Sequence, residues 1–378
     1  MKEGRGDHRF LDLAAPQIAG LTPYVPGKPV TELERELGIA GSVKLASNEN
    51  PLGCGEAARA AYLAAAEELG RYPDGGGFAL REAIAAHHGL APEQVTLGNG
   101  SNDVLDQIAR VFLYPGRESV FSEHAFAVYP IATTAVGARA RVAPARDYGH
   151  DLAAMAALVS ERTGVVWIAN PNNPTGTWLA AEPLRAFLSA LPEHCIAVVD
   201  EAYFDYVEAS EYPDTSTWLE HFPNLIVTRT FAKIHGLAAL RVGYGLSHPA
   251  IAELLNRVRQ PFNVNAPAQA AAVAALADRE HVRRSLAHNR VELARVCDGL
   301  RALGLALIPS VGNFVSVDLG RPAGPVDQAL LRAGVICRPV ANYGLPQHLR
   351  ISIGLAAEND RLLSALAAVL KRTGSGIG

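Results

Sequence analysis

The chain has 378 residues, of which 49% are hydrophobic and 19% charged, as expected for a globular protein of about two domains. Its 34 Lys and Arg against 38 Asp and Glu leave a net charge of −4, which gives no electrostatic basis for binding nucleic acid. The sequence lacks the apolar core of a signal peptide and any apolar run of membrane-spanning length. We therefore expect a cytoplasmic protein with no nucleic-acid or membrane partner, and no metal site, because its cysteines and histidines lack ligand spacing.

The predicted elements divide the chain into three parts. Residues 1–45 are predicted to form a proline-punctuated N-terminal arm, residues 46–260 a large domain, and residues 261–378 a smaller α+β domain. In the large domain short apolar strands alternate with helices, which predicts an α/β fold with a mostly parallel sheet flanked by helices. The strands predicted there are Val95–Leu97, Ser119–Phe121, Val165–Ala169, Ile196–Val199, Leu225–Val227 and Val242–Leu246.

A proline-containing hinge is predicted at residues 259–267, where the small domain begins. A long helical stretch from about Ala268 to Leu303 is predicted to break near Asp278. The strands predicted after it are Phe314–Leu319, Val335–Arg338 and Leu349–Ile353.

The segment from Thr228 to Arg241 carries the most informative chemistry. Lys233 follows an apolar strand, Thr230 precedes it by three residues, and Arg241 follows it by eight. A lysine that forms a Schiff base with an aldehyde cofactor must be held rigidly and kept partly desolvated. A hydroxyl and a guanidinium nearby could hold the phosphate of pyridoxal 5'-phosphate. Taken alone, a lysine and an arginine at this spacing are more often solvated surface charges than a cofactor site.

Two further strands lead to polar residues that could serve the same cofactor. One apolar run leads to the turn that contains Asn173, and another ends at Asp200. Ligands of parallel sheets bind beyond the carboxyl ends of the strands, so we expect Asn173, Asp200 and Lys233 in one site. An aspartate facing the pyridine nitrogen would keep it protonated, although a strand-end acid is often only a helix cap. Asn173 and Tyr203 would hydrogen-bond the ring's phenolic oxygen, and Lys233 would act as general acid–base.

The order and spacing of these motifs resemble the fold-type I pyridoxal-phosphate aminotransferases, and within them the histidinol-phosphate aminotransferase family. The resemblance covers nearly the whole chain and depends on several motifs in combination. These are Ser47–Pro51 (SNENP), Arg71–Pro73 (RYP), Pro171–Gly176 (PNNPTG), Asp200–Tyr203 (DEAY), the lysine segment and Arg350 in the last strand. The resemblance implies a homodimeric enzyme that acts on small molecules.

The resemblance also implies roles for residues that the spacing alone does not single out. The backbone amides of Ser101 and Asn102, at the start of a helix, would bind the cofactor phosphate. Phe126 would stack on the pyridine ring, and Tyr72 would reach the cofactor of the neighbouring subunit. Without the resemblance, a plain turn and a core phenylalanine are the default interpretations. Asn48, in the SNENP motif, is assigned to substrate binding.

The predicted substrate contacts come from the same resemblance. Arg350 corresponds to the arginine that clamps the carboxylate of amino-acid substrates, including glutamate and 2-oxoglutarate. Histidinol phosphate offers a phosphate instead, which the family meets with a second arginine and a tyrosine near the N-terminus. Arg338 and Tyr24 match those positions, although a solvated strand-end charge is the ordinary alternative for Arg338. Ala232 stands where the family usually has serine, which predicts cofactor binding weaker by about 1 kcal/mol.

Three functions remain open from the sequence. The first is an aminotransferase that interconverts imidazole-acetol phosphate plus glutamate and histidinol phosphate plus 2-oxoglutarate, in histidine biosynthesis. The second is the same reaction on phenylalanine or tyrosine, because imidazole and phenyl rings fill similar pockets. The third is a decarboxylase of threonine phosphate, which shares much of the scaffold. A regulator with an aminotransferase-like domain would need a DNA-binding domain ahead of the fold, for which the short arm is too small.

Overall fold

The structure is a computed structural model that describes residues 10–374. In this range the strands are β1 (Val43–Lys44), β2 (Val95–Gly98), β3 (Glu118–Ser122), β4 (Arg139–Ala143), β5 (Ala145–Arg146), β6 (Gly149–His150), β7 (Thr163–Ala169), β8 (Ile196–Asp200), β9 (Leu225–Thr230), β10 (Gly243–Ser247), β11 (Ala306–Ile308), β12 (Phe314–Asp318), β13 (Val335–Ile336), β14 (Arg338–Val340) and β15 (Leu345–Ser352). The α-helices are α1 (Pro16–Ala19), α2 (Val30–Leu37), α3 (Glu56–Ala65), α4 (Phe78–His88), α5 (Ser101–Phe112), α6 (Val128–Ala135), α7 (Leu152–Leu158), α8 (Ala181–Ala190), α9 (Pro249–Val258), α10 (Ala266–Ala277), α11 (Arg279–Ala302), α12 (Ala323–Arg332) and α13 (Ala356–Gly374). Within these residues no helix is both long and apolar enough to cross a membrane.

The large domain contains a seven-stranded sheet in the order β2-β10-β9-β8-β7-β3-β4. Strand β10 is antiparallel to both of its neighbours, and the other strand pairs are parallel. All six strands predicted for this domain are confirmed. The edge strand β4 was not predicted, because Arg139 and Arg141 interrupt its apolar pattern. Charged residues are usual on an edge strand, which needs a deterrent against pairing with other chains.

Helices cover both faces of this sheet, and successive residues of β7 enter two separate cores. Val166 and Ile168 pack in one core with residues of α4, α8 and α10. Val165 and Trp167 pack in the other core with residues of α5 and α6. Burial on both faces is the reason that the central strands read as continuous apolar runs in the sequence.

The small domain is built on a four-stranded antiparallel sheet in the order β11-β12-β15-β14. The predicted helix break is confirmed, since α10 ends at Ala277 and the Asp278 side chain accepts a 3.0 Å hydrogen bond from the His281 N–H at the start of α11. Helix α10 packs in the core of the large domain through a row of buried alanines that includes Ala268 and Ala272. We therefore propose that the small domain begins at α11, after the boundary expected at residue 260.

Part of the arm packs against the small domain. Strand β1 pairs in parallel with β13, and Leu33 of α2 forms a buried cluster with Ala46 and Ile336. The predicted arm thus contains regular structure in α1, α2 and β1, whereas residues 21–29 are irregular as expected. The ends of the predicted arm and small domain, residues 1–9 and 375–378, lie outside the described residues.

A buried ion pair joins the ends of β8 and β9. The Arg229 guanidinium donates to Glu201 Oε2 from Nε at 3.0 Å and from Nη2 at 2.7 Å, and to Asp214 Oδ1 at 2.6 Å. Thr215 donates to the other Glu201 oxygen at 2.6 Å. Since Glu201 follows Asp200 and Arg229 precedes Thr230, this ion pair fixes the spacing of two predicted site residues.

We expect the Arg229→Met variant to lose about 3–5 kcal/mol of unfolding free energy, because it leaves Glu201 buried without its counter-charge. Urea denaturation measures the loss. The matched control is Arg257→Met, which removes an exposed pair with Glu253 at 2.7 Å and should cost less than about 1 kcal/mol. Equal losses in the two variants would contradict the importance given to the buried pair.

Candidate active site

A cavity of about 180 Å³ lies between the carboxyl ends of β7, β8 and β9 and the small domain. Thirteen of the fourteen residues selected from the sequence line it, and Tyr72 does not. The thirteen are Tyr24, Asn48, Ser101, Asn102, Phe126, Asn173, Asp200, Tyr203, Thr230, Lys233, Arg241, Arg338 and Arg350. The chain thus brings residues from both domains and from the arm to one place.

Lys233 stands in the turn that follows β9. Its neighbours Phe231 and Ile234 are fully buried and anchor this turn. The ammonium group donates a 3.3 Å hydrogen bond to the Ser47 carbonyl oxygen. Burial, followed by repulsion from Arg350, lowers the pKa of Lys233 to about 8. A lysine with this pKa has far more free amine near neutral pH than an ordinary lysine, and the predicted covalent role requires the free amine.

Asp200 is a buried carboxylate at the end of β8. Its Oδ1 accepts a 2.9 Å hydrogen bond from the Thr228 hydroxyl, and its Oδ2 accepts one of 3.0 Å from the Tyr129 hydroxyl. Burial raises the pKa of Asp200, while these two hydrogen bonds and the charge of Lys233 act in the opposite direction. A protonated ring nitrogen would supply the positive partner that such a carboxylate needs.

Hydrogen bonds join the two domains across the cavity. The Asn48 amide donates to the Tyr203 hydroxyl at 2.8 Å, and the Ser352 hydroxyl on β15 donates to Asn48 Oδ1 at 2.9 Å. Arg350 Nη1 donates to Asn173 Oδ1 at 2.6 Å. Because Arg350 already holds that carbonyl oxygen, the group that Asn173 can offer a ligand is its Nδ2 donor.

The cavity has a candidate phosphate cradle at the start of α5. A Cβ atom on Gly100 would lie 2.5 Å from Arg241 Nη2, and one on Gly243 would lie 2.4 Å from the Ser101 nitrogen. The absence of side chains at these two positions allows a guanidinium to approach a helix N-terminus. Thr230 Oγ1 accepts a 3.1 Å hydrogen bond from the Ala232 N–H, which leaves its own proton for a ligand. These groups together suit a phosphate dianion.

The set of groups in the cavity fits pyridoxal phosphate. Lys233 supplies an amine for the aldehyde, Asp200 a carboxylate for the ring nitrogen, and Tyr203 a hydroxyl for the phenolic oxygen. The cradle supplies cationic and N–H donors for the phosphate. Phe126, whose ring meets Tyr129 edge to face at 5.9 Å, supplies an aromatic wall.

Two arginines face the cavity from adjacent strands of the small domain. Arg338 on β14 is paired in register with Arg350 on β15, and the two residues are only 8% and 5% exposed. Their guanidinium groups donate to the carbonyl oxygens of Val25 and Ala46, each at 2.5 Å. Among residues 10–374 neither arginine forms an ion pair with an acidic side chain. Buried guanidinium groups that form no salt bridge indicate a site for anionic groups.

Tyr72 lies apart from the cavity of its own chain. It is 83% exposed and stacks on Phe262, with 4.8 Å between the ring centroids. Its contact with the cofactor of a neighbouring subunit stays a prediction.

The sequence interpretation missed the residues that hold Asp200. Tyr129 lies three residues after Phe126 and stacks on Trp167 at a centroid distance of 5.2 Å. Thr228 faces Asp200 in the register of β8 and β9. Thr228 shares a strand face with Thr230, and this alternation could have identified it. Tyr129 carries no comparable signal, because a tyrosine on an apolar helix is usually a core residue.

Comparison with known sequences supports the motif analysis. The family model for aminotransferase class I and II matches residues 40–366. The chain is 60% identical to a protein named histidinol-phosphate aminotransferase 2 from Pseudomonas fluorescens (strain Pf0-1), over 96% of this chain and 99% of the relative. It is 59% identical to a protein of the same name from Pseudomonas aeruginosa, over 96% and 98% of the two chains.

Solved structures show the same fold. A histidinol-phosphate aminotransferase from Sinorhizobium meliloti in complex with pyridoxal-5'-phosphate has a TM-score of 0.87 and 31% identity, over 95% of this chain and 98% of the other. A double mutant of the Thermus thermophilus aspartate aminotransferase shares the fold with a TM-score of 0.81 at 22% identity, over 94% and 99% of the two chains. The predicted fold-type I architecture is confirmed. The chain therefore belongs to the class I and II aminotransferases, and within them to the histidinol-phosphate aminotransferase family.

Proposed function

We propose that this chain is a pyridoxal-phosphate-dependent aminotransferase that interconverts histidinol phosphate plus 2-oxoglutarate and imidazole-acetol phosphate plus glutamate. The observation that carries the proposal is that the buried guanidinium groups of Arg338 and Arg350, neither of which forms a salt bridge, line the cavity that contains Lys233. Histidinol phosphate has an amine for the chemistry and a phosphate for these cations. Glutamate and 2-oxoglutarate have two carboxylates and can use the same cations in the second half of the reaction.

The substrate phosphate needs a site separate from the cofactor cradle. Arg241 and the start of α5 form the cradle on the large domain, whereas Arg338 and Arg350 belong to the small domain. Tyr24 lies next to the second site, with its ring centroid 5.5 Å from Arg338 Cζ. A hydroxyl and two guanidinium groups are a suitable donor set for a phosphate ester.

The chemistry can be divided between the cofactor and the chain. When bound, pyridoxal phosphate supplies an electron sink for negative charge on the substrate carbon beside the amino group. Lys233 can remove the proton from that carbon and return it, because a pKa of about 8 leaves roughly one amine in ten unprotonated at pH 7. Asp200 can keep a proton on the pyridine nitrogen, since Thr228 and Tyr129 fix both of its oxygens.

A homodimer with shared active sites is part of this proposal. Tyr72 and Phe262 form an exposed aromatic pair, at 83% and 46% exposure, which is unusual for side chains of this size unless a partner covers them. Tyr72 would then contribute its hydroxyl to the cofactor of the neighbouring subunit. We also propose a cytoplasmic location, in keeping with a biosynthetic role on small soluble substrates.

The Arg338→Ala variant tests the substrate assignment. We expect kcat/KM for histidinol phosphate to fall by about 100-fold or more, because a buried phosphate loses a charged partner. The value for phenylalanine, which has no phosphate, should change far less. Arg332→Ala, an exposed arginine at the end of the neighbouring helix α12, is the matched control. Equal losses on both substrates would contradict the role given to Arg338.

The lowered pKa of Lys233 predicts the pH dependence of its reactivity in the cofactor-free protein. Only the free amine attacks an aldehyde. The rate at which a small neutral aldehyde and borohydride modify Lys233 should therefore increase as the pH is raised through about 8 and decrease as the pH is lowered below that value. Peptide mass spectrometry identifies the modified lysine. In Arg350→Met the midpoint should move upward, because removal of a nearby positive charge favours the ammonium form. A midpoint near the ordinary lysine value in the unsubstituted protein would refute the burial argument.

The Ala232→Ser variant tests whether the phosphate cradle lacks one contact. Ala232 is buried and lines the cavity, so a serine hydroxyl there could donate to the cofactor phosphate. We expect the cofactor dissociation constant to fall about fivefold, which corresponds to about 1 kcal/mol for one neutral hydrogen bond. Equilibrium titration of the cofactor-free protein measures it, with the exposed Ala239→Ser as control. Equal dissociation constants for the unsubstituted protein and the Ala232→Ser variant would show that the contact is not missing.

A further inference from the structure

A second cavity lies beside the active site, behind the N-terminal arm. Its volume is about 510 Å³, and it is an open pocket bordered by arm residues 21–28, helix α6 and the segment from α12 to β14. Its walls are mainly apolar, with contributions from Leu21, Val25, Pro130, Ile131, Leu331 and Ile336. A cavity of this size and composition is typical of a small-molecule site.

The wall of this second cavity contains a buried carboxylate, one oxygen of which lacks a hydrogen-bond donor. Asp327 on α12 is 9% exposed, and within residues 10–374 its Oδ1 has no hydrogen-bond partner. Burial raises the pKa of Asp327 to about 6, with Arg338 acting in the opposite direction, so the group is mostly ionised at neutral pH. A buried acceptor without a donor destabilises a folded protein. A ligand that presents an N–H group to this carboxylate, with Oδ1 turned toward the cavity, would remove this cost.

The second cavity shares part of its wall with the active site. Tyr24, Gly27 and Arg338 line both cavities. Arg338 also donates to the Val25 carbonyl oxygen at 2.5 Å, which attaches the irregular arm to the small domain. A molecule that fills the second cavity therefore contacts the residues proposed to meet the substrate phosphate.

We propose that the second cavity is an effector site for a small apolar molecule with one N–H group, which donates a hydrogen bond to Asp327. The apolar walls bury the body of the ligand, and the hydrogen bond to Asp327 fixes its orientation. A neutral donor is sufficient, because the nearby Arg338 already offsets part of the carboxylate charge. Occupancy changes the use of a phosphate-bearing substrate through Tyr24 and Arg338. That effect rests on the proposed function, whereas the binding does not.

The binding is tested on the cofactor-loaded protein with two probes, indole and 1-benzothiophene. The two bicycles have nearly the same shape, but sulfur replaces the N–H group in the second. Ligand-detected NMR titration should give at least tenfold tighter binding of indole, because a site with an unpaired acceptor discriminates against a ligand that lacks the donor. In Asp327→Leu this preference should disappear or reverse. Asp298→Leu, which replaces an exposed acid on α11, should keep it.

A second variant and a kinetic measurement complete the test. Leu331→Trp, which fills the cavity, should abolish binding of both probes, so the proposal remains testable if Asp327→Leu does not fold. Saturating indole should change KM for histidinol phosphate at least threefold in the unsubstituted protein and have no effect in Leu331→Trp. Absence of indole binding, or an indole preference that survives Asp327→Leu, would overturn the site. Indole binding that leaves KM unchanged, or that histidinol phosphate simply displaces, would overturn the effector role.

Discussion

The buried carboxylate of Asp200 is the constraint on which the large-domain half of the active site depends. A carboxylate at the end of a central strand is stable only if its oxygens have donors, and Thr228 and Tyr129 supply them from β9 and α6. Tyr129 in turn stacks on Trp167, and the Arg229–Glu201 pair fixes the adjacent strand ends. The same arrangement leaves Asp200 in need of a cationic partner, which a protonated pyridine nitrogen would provide.

The small domain contributes positive charges that need anionic partners. Arg338 and Arg350 bring two positive charges to a cavity whose lysine has a lowered pKa, and Arg350 is one cause of that lowering. Arg350 also hydrogen-bonds Asn173 on the large domain, so the group predicted to clamp the substrate also links the domains. Anionic substrates would therefore both neutralise these charges and act at the domain boundary. This coupling gives a physical reason for building the site between two domains instead of within one.

Much of the fold and most of the site could be predicted from the sequence, for identifiable reasons. Strands β7, β8 and β9 are buried on both faces, so their apolar runs were unambiguous, and the polar residues that follow them mark the site. Strand β4 was missed because an edge strand with arginines has no such run. Helix α10 was assigned by its position after a proline hinge, but its buried alanines pack on the large domain. The hydrogen bond from Tyr129 to Asp200 joins residues distant in the chain, and only the folded structure shows it.

The most direct test of the central claim is a single-turnover half-reaction of the cofactor-loaded protein. Histidinol phosphate, phenylalanine, tyrosine and threonine phosphate are added separately while the absorbance of the bound cofactor is followed. The account predicts fast conversion to the amine form with histidinol phosphate and much slower conversion with the two aromatic amino acids. Comparable or faster conversion with phenylalanine or tyrosine would contradict the phosphate-binding role of Arg338 and Tyr24. Release of carbon dioxide from threonine phosphate would contradict the assigned reaction itself.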